Sequence, residues 1–185
     1  MTVSQFWDLI DKSRNEAGGW QDMEESLANI LSELDISEII IWYQIFYEYH
    51  QRADKSKLWA ATYVINGGCS DDGFTDFRGW LIAQGKDVFL NALLNPATLE
   101  FVDNIHDDYC AFEEILYVAD KACCIKTGED EFNIWDIDAD PLPADLIAKI
   151  DSEIKYDDDI DIEWNEDTLH KLFPSLCKAF NWNVK

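Results

Sequence analysis

Residues 59–89 read WAATYVINGGCSDDGFTDFRGWLIAQGKDVF, and no other stretch of the chain gathers aromatic, small and capping residues so densely. Leu58, Trp59, Ala61, Thr62, Val64 and Ile65 make its first half apolar around most of a helical circumference, the pattern of a central buried helix. Asn66, Gly67 and Gly68 then end that helix, because glycine enters the left-handed conformation without steric cost and asparagine tolerates it. Ser70, Asp71 and Asp72 offer side-chain oxygens to the unpaired N–H groups of a second helix, and a carboxylate there also suits the helix dipole. Phe74, Phe77 and Leu81 follow at spacings of three and four, which gives one apolar face with Asp76 and Arg78 off it, and Gly85 closes the helix. Asn66, Gly67, Gly68, Asp71, Asp72 and Arg78 are accordingly read as the residues that pin a structural turn.

Working outward, Thr2 or Ser4 caps a first helix with Phe6, Ile10 and Leu9 inward, ending before Gly18-Gly19. A second amphipathic helix over 20–34 places Met23, Leu27, Ile30, Leu31 and Leu34 at helical spacing. Ser37 and Glu38 open a third over 39–50, crowded with aromatic residues. Its run Ile39-Ile40-Ile41 could argue for a strand, but the segment's length and lack of turn residues favour helix. A short helix over 86–94 stops at Asn95-Pro96, and Pro96 starts another through Val102. Residues 104–108 are a polar loop, and a helix over 110–127, with Phe112, Ile115, Leu116, Val118 and Ala119 inward, ends at Gly128.

The run YVINGGCSDDGFTDFRGWLIAQGKDVF, with FWDLID near the start and ILYVAD downstream, resembles the bacterial family called domain of unknown function 4240, over about residues 4–127. The resemblance implies a predominantly helical cytoplasmic domain and carries no established activity to particular residues. Two regions follow: a helical family-like domain over 1–128, and an acidic C-terminal extension over 129–185 packed on it. The expected fold is mainly α, a compact orthogonal bundle of about seven to nine helices, with at most a small extended or β segment in the C-terminal third.

Composition narrows the function. With 48% hydrophobic and 14% aromatic residues in 185, the chain can bury a substantial core. Fourteen Lys and Arg against 38 Asp and Glu give a formal charge of −24, which repels phosphate backbones and anionic membranes and suits a basic protein partner. The charges inside MTVSQFWDLIDKSRNE argue against reading it as a signal peptide or anchor, and no run approaches the roughly 18 apolar residues of a membrane span, so a cytoplasmic location is expected. Five cysteines, at 69, 110, 123, 124 and 177, show no framework spacing and read as buried free thiols.

Past Gly128 the charge concentrates. Residues 128–167 hold sixteen acidic side chains against two lysines, a net −14 of the total −24. Residues 131–140, EFNIWDIDAD, alternate enough to suggest an extended segment, and 143–154 read as a helix with Leu146, Ile147 and Ile150 inward. In YDDDIDIEW, 156–164, Ile160, Ile162 and Trp164 alternate with acids, a period of two that argues for a strand or extended loop. Asn165 or Asp167 caps a last helix over 168–180, which Pro174 kinks or restarts.

The candidate chemistries are sparse. Asp157, Asp159 and Asp161 have the first three spacings of a calcium loop, but Ile162 stands where the loop needs glycine and Thr168 where it needs glutamate. Asp136, Asp138 and Asp140 run into Pro141. His50, His106 and His170 have no paired-ligand spacing, so neither metal nor other cofactor is assigned. Cys69 and Ser70 have no neighbouring base in sequence, and Asp71 and Asp72 place negative charge where a phosphate would sit after Gly67-Gly68. Asp71, Asp72, Asp76 and Arg78 could form an acid–base constellation, though caps and a salt bridge account for the same residues; an exposed Trp80 would favour a binding site there.

The preferred expectation is a non-enzymatic protein-binding module, an immunity protein that neutralises a cognate basic toxin. Asp157, Asp158, Asp159, Asp161 and Glu163 would be the contact, with Trp135, Tyr156 and Trp164 as aromatic anchors. The alternatives are a small hydrolase-type enzyme using the turn over 67–78, and a regulatory scaffold that mimics the charge of DNA.

Overall fold

Thr2 opens the first helix, α1 (Val3–Glu16), through a reciprocal cap: the Gln5 N–H donates to Thr2 Oγ1 at 3.2 Å and the Thr2 N–H to Gln5 Oε1 at 2.7 Å. The computed structural model describes residues 1–103, 105–106 and 109–182, with Trp20 and Gln21 as backbone alone. After α1 come α2 (Trp20–Ser32), α3 (Ile36–Arg52), α4 (Ser56–Ile65), α5 (Asp71–Ala83) and α6 (Lys86–Leu94). Further along lie α7 (Val118–Thr127), α8 (Ala144–Glu153), α9 (Leu169–Leu172) and α10 (Pro174–Ala179), with short 3₁₀ helices at Pro96–Phe101, Glu113–Tyr117, Ile134–Asp136 and Glu166–Thr168. Among the described residues there is no strand, and α1 to α8 each run nine residues or more: the fold is a multi-helix bundle. Asn104, Asp107 and Asp108 of the expected 104–108 loop lie outside the described residues.

α3 begins at Ile36, three residues earlier than its sequence suggested. Ile39, Trp42, Ile45, Phe46 and Tyr49 are buried at helical spacing, so the isoleucine run is helical. Phe6 and Trp7 of α1 meet Trp42 and Tyr49 of α3 and Phe89 of α6, with ring centroids 4.8–5.7 Å apart. This aromatic cluster is the heart of the core. α2 lies along both α1 and α7.

α4 is buried nearly all round, and the chain leaves it through a Schellman turn. The Gly68 N–H donates to Tyr63 O at 2.8 Å, the Gly67 N–H to Val64 O at 3.4 Å, and both glycines have positive φ, 68° and 126°. Ser70 Oγ accepts from the Gly73 N–H at 3.1 Å to start α5. The single apolar face expected for α5 is an underestimate: Arg78, Gly79, Trp80, Ile82 and Ala83 are buried along with Phe74, Phe77 and Leu81. Gly79 shows how tightly α5 is enclosed, since a Cβ there would lie 2.8 Å from both Ile115 Cγ2 and Phe112 O.

The helix expected over 110–127 starts late. Asn66 Nδ2 donates to Cys110 O and the Cys110 N–H to Asn66 Oδ1, both at 3.1 Å, while the Phe112 N–H donates to Asp76 O at 3.1 Å. Backbone groups so engaged cannot join a helical ladder. The chain therefore turns helical only at Glu113, as a 3₁₀ helix that runs on into α7.

In the C-terminal third, the Asn133 side chain caps a 3₁₀ turn at Ile134–Asp136, where sequence suggested an extended segment. Ile134 is buried there, and its N–H donates to Asp120 Oδ1 at 2.7 Å. α8 forms as expected with Ile150 inward and packs on α3 and α1. Residues 156–164 are neither the strand nor the extended loop their alternation suggested: 158–161 curl into turns, the Ile160 N–H donating to Asp157 O and the Ile162 N–H to Asp159 O, both at 3.1 Å. The reason is that the segment is tied to the start of α4 and the end of α6, where the Lys57 N–H donates to Ile160 O at 2.8 Å, Ser56 Oγ to Ile162 O at 2.7 Å, and the Asp157 N–H to Leu93 O at 3.1 Å. Asn165 caps the turn before α9, and Pro174 restarts the chain as α10. Both short helices pack on α4.

Candidate protein-binding surface

Gly67, Ser70, Asp71 and Asp72 of the turn are exposed, whereas Asn66 and Arg78 are engaged with other parts of the chain. Arg78 is 7% exposed: its Nη1 donates to His50 O at 3.2 Å, Nη2 to Thr75 Oγ1 at 3.1 Å and Nε to Phe74 O at 3.4 Å, with Asp54 at 3.7 Å as its ionic partner. Asp71 and Asp72 are exposed in the first turn of α5, and Asp76 is half-buried beside Glu113, so the four-residue constellation is not assembled. Trp80, whose exposure would have favoured a binding site, is 3% exposed and stacks on Phe77. These residues tie α5 to the end of α3. His50 Nε2 donates to Thr75 O at 3.0 Å, and burial, then the nearby Arg78 charge, hold the imidazole neutral with its pKa lowered to about 4.

The acidic segment 151–163 is partly neutralised from within. Arg52 pairs with Asp151 at 2.8 Å and with Glu48, Lys55 with Asp161 at 2.9 Å, and Lys57 with Asp157 at 3.0 Å. Burial pushes the Asp157 carboxyl up, but the Lys57 ammonium outweighs it and holds the group below the usual carboxylate range. Tyr156 donates its hydroxyl to Arg52 O at 3.1 Å under the Lys55 ammonium, and Trp164 packs on Trp59 and Tyr63. Asp158, Asp159 and Glu163 are exposed, and among the described residues no cation pairs with them. The calcium-like trio is thus divided between two lysines and solvent.

Trp135 stands elsewhere. Its ring meets those of Tyr43 and Tyr47 at 87°, with centroids 5.5 and 5.6 Å away. Tyr43 and Tyr47 share one strip of α3, whereas Glu48 and Arg52, which face the acidic segment, share a strip about 100° around the helix. The eight residues expected to bind a partner therefore fall on two surfaces.

A cleft of about 590 Å³ opens beside Trp135, walled by Tyr43, Tyr47 and Gln51 of α3, Thr75 and Arg78 of α5, and Tyr117, Asp120 and Phe132. Trp135, Tyr117 and Tyr47 are 65%, 58% and 40% exposed. Asp120 also lines an adjoining depression with Asp130, Glu131 and Asp136. Burial raises the Asp120 carboxyl above its usual range, only partly countered by the Ile134 N–H, and no cation among the described residues pairs with it. Sequence reasoning found Trp135 here and missed Tyr47, Tyr117 and Asp120. Tyr47 looked like one more core aromatic of α3, and ILYVAD looked like plain helix.

The remaining candidates are quiet. All five cysteines are free, and burial pushes the Cys69 and Cys123 thiols up to about 11, away from nucleophilic use. Among the described residues no three His, Cys, Asp or Glu side chains converge as metal ligands, and no helix is long and apolar enough to cross a membrane. No curated protein and no solved structure matches the chain. A family model does match, over residues 1–124, close to the span its sequence motifs suggested; the chain belongs to the family described as protein of unknown function (DUF4240).

Proposed function

We propose that the protein is a non-enzymatic protein-binding module, an immunity protein that neutralises a basic toxin by covering it. One observation supports this most: three exposed aromatic rings, Tyr47, Tyr117 and Trp135, beside the carboxylates Asp120, Asp130, Glu131 and Asp136, on a chain of net charge −24. Rigid aromatic side chains are the usual anchors of interfaces, and excess negative charge speeds encounter with a positive partner. Asp158, Asp159 and Glu163 extend that field, with Tyr156 and Trp164 beside them; Asp157 and Asp161 add less, because their lysines already answer them. The module acts in the cytoplasm, without a cofactor. A hydrolase built on the turn would need Asp72, Asp76 and Arg78 around one cavity, and the guanidinium faces His50, Thr75 and Asp54 instead.

The test is co-expression with the products of the genes on either side of this one, a basic and toxic product being the candidate partner. Restored growth, a stoichiometric complex and an association rate that falls steeply between about 10 and 150 mM salt are expected. Continued toxicity with no complex, or a complex whose association ignores salt, overturns the reading.

A further inference from the structure

Trp135 stands at right angles to both Tyr43 and Tyr47, so the three rings form two walls of a corner, and Tyr117 lines the same cleft. Asp120 is half-buried among them. Its Oδ1 accepts the Ile134 N–H at 2.7 Å, which fixes the carboxylate in place and leaves its other oxygen to a ligand. Nearby cations are committed: Lys121 pairs with Glu24 at 2.9 Å, and Arg78 turns its donors to His50 O, Thr75 Oγ1 and Phe74 O with Asp54 beside it. Aromatic walls around an unpaired carboxylate favour one class of occupant, a cation with apolar or planar surface. A guanidinium fits best, since it stacks flat on aromatic faces and donates to a carboxylate in the same pose, whereas an ammonium is a compact and strongly hydrated point charge.

We propose that this cleft is the receptor for one arginine side chain of the protein partner, with Asp120 accepting from the guanidinium and the rings of Tyr47, Tyr117 and Trp135 holding its plane and stem. The assignment rests on the protein-binding reading above and names the chemistry of its anchor. Arg78 sets the depth. Its charge at the cleft wall repels a second cation, so the incoming guanidinium stops at Asp120, in the aromatic mouth.

The experiment titrates the full chain with N-acetyl-arginine amide, followed by the NMR signal of the Trp135 indole N–H. Parallel titrations use the lysine analogue and the uncharged citrulline analogue. A saturable shift with the arginine probe is expected, weakened about tenfold by Asp120→Asn, the loss of one charge-assisted hydrogen bond. Tyr117→Leu, which removes an exposed ring, weakens it too, read on the same indole. An equal response to citrulline, or full binding by Asp120→Asn with an unchanged melting temperature, overturns the receptor. An equal response to lysine overturns the choice of guanidinium. The two readings fail separately. A toxin that binds with undiminished affinity to Asp120→Asn and Trp135→Leu docks elsewhere and removes the receptor alone; arginine-probe binding in a protein that protects against no toxin removes immunity alone.

Discussion

The region around the α4–α5 turn and the cleft around Trp135 are built from the same kinds of residue, and they differ in where their polar groups find partners. Around the turn, the Asn66 amide pairs with both backbone groups of Cys110, Ser70 caps α5, and Arg78 donates three times into the interior. In the cleft, Asp120 has no cation among the described residues and three rings face solvent. Polar groups satisfied internally stabilise a fold; groups left over at an aromatic surface are available to a partner. The densest sequence signal in this chain therefore marks where folding is most demanding, and the candidate binding site lies where the signal is thin.

The comparison breaks first at Arg78. Replacing it by leucine leaves the His50 carbonyl and the Thr75 hydroxyl without their donor, and should cost about 4 kcal/mol of unfolding free energy in urea titration. A loss below about 1 kcal/mol would mean that the turn region is not the internally satisfied half of the pair.

His50 gives the next effect, through pH. Its folded pKa of about 4 lies below the ordinary 6.5, so between those values the unfolded chain binds the extra proton and the fold loses stability as pH falls. The loss reaches about 3 kcal/mol by pH 4 and should be absent in His50→Gln, measured by denaturation across that window. Near and below the ordinary carboxylate range, Glu153 contributes in the same direction. Burial raises its carboxyl, but Lys149, Lys86 and the Tyr49 hydroxyl outweigh that and hold it low. Asp120 and Asp76, both raised by burial, work the other way.

Gly79→Ala follows in size. The added Cβ would meet a backbone oxygen and a buried isoleucine at 2.8 Å, so α5 and the Glu113–Tyr117 helix must part slightly, at about 2 kcal/mol. An unchanged melting curve would mean that the contact between the two is loose.

These residues also show what was legible beforehand. The Asn66–Gly68 stop, the Ser70 cap and the apolar spacing of α1 to α6 are local features, and local chemistry reads directly from sequence. Burial of Arg78 was not legible: Phe74 and Thr75 lie on its own helix, but His50 O and Asp54 come from the end of α3 and the link after it, and only the tertiary fold brings them near. The late start of the helix after Cys110 was hidden for the same reason, since the competing bonds come from Asn66 and Asp76. Of the candidate site, Trp135 was visible as an aromatic among acids. The cation-free state of Asp120 and the internal pairing of Asp157 and Asp161 depend on which lysines the fold delivers to which carboxylates, and periodicity carries no such information.

The smallest effect on stability sharpens the contrast within the acidic coat itself. Lys57 and Asp157 form a mostly buried pair, and a double-mutant cycle through Lys57→Met and Asp157→Asn should give a coupling of about 1 kcal/mol. Reversing the exposed pair, Asp158→Lys with Asp159→Lys, should leave unfolding free energy within about 0.5 kcal/mol of the parent, because neither side chain has a cationic partner among the described residues to lose. The same double reversal makes the net charge of the chain four units less negative, and at low salt it should slow association with the proposed basic partner about tenfold while leaving dissociation nearly unchanged. If the reversal instead destabilises the fold by more than the buried pair does, the outer carboxylates belong with the residues that hold the chain together, and the division between the inner and outer acids is wrong.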